Sequence, residues 1–106
     1  MKPAPKDTRY RVLITGRELE ELKKHTWMIA EAFGLDRRIE LYQGKRPITL
    51  YDWDLDCLID VMADALVTST EYPGRSGPGY EALRQLHDRI ERLREQGNIK
   101  NEDRRR

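Results

Sequence analysis

The chain has one cysteine, one phenylalanine, two histidines and almost no net charge, and each scarcity removes a class of protein. With Cys57 alone, neither an intrachain disulfide nor a thiolate-rich metal site can form, which suits a reducing compartment. Cys57 also follows Asp56, whose charge disfavours a thiolate, so it makes a poor nucleophile. His25 and His87 each lack a second His or Cys at ligand spacing and read as surface or boundary residues. No apolar run approaches the ~18 residues of a membrane span, and MKPAPKDTRY has no apolar leader core. A cytoplasmic protein with no membrane partner is expected. The 20 basic and 19 acidic residues nearly cancel to +1, so composition predicts neither a polyanion binder nor an acidic mimic.

What the sequence does have is periodicity. A chain of 106 residues suits one small core, and its 38% hydrophobic residues are too regularly spaced for a disordered chain. Residues 1–8 are expected to form a disordered tail, 9–97 one globular domain and 98–106 a charged disordered tail. Arg9 to Thr15 alternates Tyr10, Val12 and Ile14 against Arg9, Arg11 and Leu13, the pattern of a strand covered on one face. Thr15 and Glu18 form a capping box with Ile14 and Leu19 as its staple. The helix they start is predicted to bury Leu22, Thr26, Ile29, Ala30 and Phe33 and to stop at Gly34. A short helix over Asp36 to Gln43 follows, with Leu35, Ile39 and Tyr42 inside, and then a short strand over Arg46 to Leu50, which Pro47 confines to an edge or to its start.

Thr49 to Val67 is the predicted central helix, capped through Thr49 and Asp52, with Leu55, Leu58, Ile59, Met62 and Leu66 inward. Ile48 to Trp53 repeats the I-T-x-x-acid-apolar pattern of Ile14 to Leu19. The two helices lose register after the sixth residue, so capping explains the likeness better than duplication. After the loop TSTEYPGRSGPG, Pro78 sits well at the first position of a last helix, Tyr80 to Gln96, closed by Gly97 and buried through Leu83, Leu86, Ile90 and Leu93. The fold expected is mostly α (α+β), with three main helices, one short helix and at most a two-stranded β ribbon.

The other face of the central helix carries Asp56, Asp60 and Asp64 at i, i+4 spacing, where like charges cost a few tenths of a kcal/mol per pair. Carboxylates aligned on a helix can hold Mg²⁺. Glu18 and Glu21 form an E-x-x-E that resembles half of the motif of the all-α nucleotide pyrophosphohydrolases, the MazG-like family, in which an E-x-x-D on the next helix completes the site. The resemblance implies a Mg²⁺-dependent hydrolase using Glu18, Glu21, Asp56 and Asp60. The second half is missing here, because Cys57 stands three residues before Asp60 and Val61 three before Asp64.

Arg37, Arg38, Lys45 and Arg46, with Tyr42 among them, offer either internal partners for Asp56 and Asp60 or a thin nucleic-acid patch, which the nearby acids oppose. Gly74 to Gly79 leads into a helix start that could hold an anion. It matches no phosphate-binding motif and reads as a connector. Trp53 projects toward Asp56 and Asp60, where it either staples onto Ile48 or serves as an aromatic anchor for a partner. Trp27 and Met28 also fall off the inward stripe of their helix. By elimination, the sequence reads as a small intracellular protein-interaction or assembly module that self-associates, without catalytic activity or cofactor. Its contact residues would be Trp27, Met28, Trp53, Asp56 and Asp60.

Overall fold

The computed structural model describes residues 9–29, 34–68, 70 and 72–104. In chain order these form strand β1 (Arg9–Val12), helix α1 (Gly16–Lys23), a 3₁₀ turn (Thr26–Met28), helix α2 (Leu35–Leu41), strand β2 (Ile48–Tyr51), helix α3 (Asp52–Thr68), a second 3₁₀ turn (Pro73–Arg75) and helix α4 (Pro78–Arg104). The mostly helical architecture with a two-stranded antiparallel ribbon is the one the sequence predicts. No helix among the described residues is long and apolar enough to cross a membrane. The expected tail at 1–8 and the inward residues Ala30 and Phe33 lie outside the described residues.

The ribbon pairs Arg9 with Tyr51, Tyr10 with Leu50, Arg11 with Thr49 and Val12 with Ile48. Its alternation follows the sequence: Val12 and Leu50 are buried, while Arg9, Arg11 and Thr49 are exposed. Beneath it α3 packs chiefly on α4, and α4 also packs on α1. Leu55, Leu58 and Met62 of α3 meet Leu83, Leu86 and Ile90 of α4 in one core. Each such side chain, fully removed from water, contributes about 1.5–3 kcal/mol. Ile59 is only partly buried, while Val61 and Ala65 complete the inner face.

Several boundaries differ from expectation for identifiable reasons. The first helix stops at Lys23, ten residues short of Phe33, because the chain tightens to i→i−3 bonding from Lys24 to Glu21 (3.1 Å) and from His25 to Leu22 (3.0 Å). The Thr26 hydroxyl then engages the Lys23 carbonyl (3.2 Å) and the Glu40 carboxylate (3.1 Å), tying this turn to α2. Gly34, at φ 86°, opens α2 instead of closing α1. Thr15 makes no side-chain capping bond, and the Glu18 carboxylate expected to complete the box is bonded to Arg89.

The second capping box is displaced by two residues. β2 runs to Tyr51, so Thr49 lies within the strand, and the Asp54 carboxylate accepts the Tyr51 amide at 3.0 Å. α4 continues through Gly97 to Arg104. One helical glycine costs only about 1 kcal/mol relative to alanine, which by itself does not end a helix.

Candidate functional site

Two polar constructions stand out, one closed and one open. The closed one surrounds Glu21, whose side chain is 1% exposed. The Tyr72 hydroxyl donates to Glu21 Oε1 at 2.7 Å, while Arg17 Nε (2.9 Å) and Lys24 Nζ (3.2 Å) donate to Oε2. Burial pushes this carboxyl up, but the bonds from Tyr72, Lys24 and Arg17 outweigh it and hold the group below its usual 4.5. His25 Nε2 lies 2.9 Å from the same Tyr72 oxygen. Since the one hydroxyl proton goes to Glu21, the oxygen accepts from the His25 Nε2–H.

Gly79, in the first turn of α4, completes the enclosure: a Cβ there would come within 2.8 Å of Glu21 Oε2. The anion at this helix start is therefore the chain's own carboxylate, placed where the helix dipole favours it. Tyr72 is buried, so the loop TSTEYPGRSGPG is pinned to the core two residues before the Gly74 to Gly79 connector. His25, read as a surface or boundary residue, is buried as well.

The four acids of the hydrolase reading are dispersed. Glu18 takes a two-pronged bond from Arg89 (2.9 and 3.1 Å), Glu21 is sealed as described, Asp56 pairs with Arg94 at 2.8 Å, and Asp60 is exposed. Among the described residues the one grouping of three potential ligands is His87, Asp88 and Glu91, in which Asp88 already meets Arg84 at 3.5 Å. Arg94 also reaches Asp52 at 3.7 Å. Burial and the neighbouring Asp52 carboxylate push the Tyr10 hydroxyl up to about 12.

The open construction is a groove of about 700 Å³ between the end of α2 and β2, lined by Leu41, Tyr42, Pro47, Ile48 and Tyr51 and rimmed by Arg38 and Arg46. Local chemistry builds its walls. Arg38 donates to the buried Asp54 carboxylate (3.2 Å) and to the Thr49 carbonyl (2.6 Å), joining α2 to the edge strand. It thus pairs with Asp54 in place of the expected Asp56 and Asp60, because Asp54 stands in the first turn of α3, beside β2. The Tyr42 hydroxyl accepts the Ile14 amide (3.3 Å) and donates to the Arg46 carbonyl, fixing the turn between α2 and β2.

Tyr51, which lines the groove, stacks on Trp53, centroids 4.9 Å apart and 9° from parallel, with the Arg9 guanidinium 5.8 Å from the Tyr51 ring. Trp53 is 39% exposed and is supported by Tyr51, where Ile48 was the expected staple; Leu41 is 74% exposed. The other two expected contact residues sit elsewhere. Trp27, 79% exposed, and the half-buried Met28 line a separate cleft of about 360 Å³ with Asp64 and Thr68 near the far end of α3.

Leu41, Ile48 and Tyr51 were missed in the sequence. The available signal was Leu41 itself, an apolar residue two positions from the inward Ile39 and hence on the outer face of its helix. No family model matches this chain, and no curated protein or solved structure shows significant similarity to it.

Proposed function

We propose that the protein is a small interaction module whose docking surface is the α2–β2 groove with the adjoining Tyr51–Trp53 stack. The observation that carries this reading is the groove itself: an open apolar trough presenting a 74% exposed Leu41 between cationic rims. Apolar surface offered beside an aromatic pair is the composition of an interface core, and Arg is among the residues enriched there. Arg46 and Lys45 are exposed and make no ion pair among the described residues, so they favour a partner segment that brings carboxylates with its apolar anchor. The lone Cys57 fits an intracellular setting.

The test is a titration with a short peptide carrying a leucine–tryptophan pair between aspartates, followed by amide NMR. Shifts should concentrate at Leu41, Ile48 and Tyr51. Leu41→Gln should weaken binding by roughly tenfold to a hundredfold, the value of burying one leucine. Absence of shifts at millimolar peptide sinks the proposal. A single-stranded oligonucleotide that binds more tightly, with steep salt dependence, would move the function to nucleic-acid recognition through the same arginines and aromatics.

A further inference from the structure

We infer that the partner in the groove is a second copy of this chain, the two copies meeting about a twofold axis close to Trp53. This rests on the interaction reading above and adds the identity of the occupant. Two patches of opposite charge lie on the segments that lead into and out of the same aromatic stack along the chain. Before it, beside the groove, Lys45 and Arg46 are exposed and unpaired among the described residues. After it runs the outer face of α3, where Asp60 and Asp64 are exposed and likewise make no ion pair among the described residues.

At 3.6 residues per turn, positions 60 and 64 fall within about 20° of the direction of Trp53. The acids therefore extend the ridge that Trp53 begins. Asp56 belongs to it by position but is held by Arg94, so it is not one of the charges left over.

A chain that carries both an unpaired basic and an unpaired acidic patch can satisfy each with the other patch of a second copy under a twofold rotation. Turned about the stack, the acidic ridge of each copy lies over the basic rim of the other, and the match occurs twice. Trp53 and Leu41 supply the apolar centre that such a contact needs. The net charge of +1 leaves little overall repulsion to overcome. The closed symmetry also limits the assembly to two, whereas the same patches meeting head to tail would continue to grow.

Sedimentation equilibrium tests this with wild type, Asp60→Arg/Asp64→Arg and Lys45→Glu/Arg46→Glu, all first shown by thermal melting to be folded. Wild type should rise with concentration to a plateau near 25 kDa, twice the 12.6 kDa chain. Each charge-reversed variant alone should dimerise about tenfold or more weakly, because every pair then repels. An equimolar mixture of the two should recover the wild-type dimer, since each copy again faces its complement.

Failure of the mixture to recover, or mass growing beyond two chains, overturns the twofold arrangement. A monomer at the highest concentration that still binds the aspartate–leucine–tryptophan peptide overturns the second-copy partner and leaves the interaction reading standing. A monomer that binds no peptide removes both.

Discussion

The Glu21 network and the α2–β2 groove are built from similar residues, arginine, tyrosine and a buried carboxylate, yet they have opposite accounts of their surroundings. Around Glu21 the donors from Arg17, Lys24 and Tyr72 converge on two oxygens, and His25 completes the tyrosine. In the groove Arg38 is committed to Asp54 and Thr49, but Leu41 and the Tyr51–Trp53 stack are left with water on one side. A polar cluster that satisfies itself is structural cement. Surface that is positioned with equal care and left uncovered is where a partner gains most.

Removing the tyrosine hydroxyl should break the closed region most severely. In Tyr72→Phe both Glu21 Oε1 and His25 Nε2 lose a buried partner, at about 1–3 kcal/mol for each group left unsatisfied. Chemical denaturation at neutral pH should therefore show a loss on the order of 3 kcal/mol.

The loss has a predictable pH dependence. A carboxyl held below its unfolded value stabilises the fold above about pH 4.5, and that contribution disappears as pH falls through the lower folded value. Tyr72→Phe removes one of the bonds that depress Glu21, so the difference from wild type should shrink in acid. A constant difference from pH 7 to pH 3 would mean that the hydroxyl does not govern this carboxylate.

Gly79→Ala is a subtler break of the same region. Alanine is the better helix former by about 1 kcal/mol, but its Cβ would lie 2.8–2.9 Å from a carboxylate that three donors hold in place. Repulsion should outweigh propensity and leave the variant about 1 kcal/mol less stable by thermal melting. A stabilised variant would show that Glu21 can swing aside and that the network is looser than its distances imply.

The contrast between the regions also explains what could be read in advance. Local rules recovered the ribbon, the helices and most of the α3 and α4 core, because those depend on periodicities of two and 3.6. The network was invisible: Glu21 and Tyr72 are 51 residues apart and His25 and Tyr72 are 47 apart. A lone histidine and a loop tyrosine carry no spacing signal. Capping boxes were read from real patterns, but the expected acids have tertiary partners instead, Glu18 with Arg89 and Asp52 with Arg94. Of the five expected contact residues, Trp53 alone borders the groove, through its stack on Tyr51.

Leu41→Gln should have the smallest effect on stability and is the sharpest test of the comparison. Leu41 ends α2 and is mostly solvated already, so losing its apolar tip should change the unfolding free energy by no more than about 0.5 kcal/mol. Glutamine keeps good helix propensity and adds no charge to the negative end of the helix dipole, which aspartate would oppose. The same substitution should weaken peptide binding and dimerisation together, because both use Leu41 as anchor. A stability loss of 2 kcal/mol or more, on the scale of a core leucine, would mean that Leu41 is packed by its own chain in solution, and the groove would then be as closed as the Glu21 network.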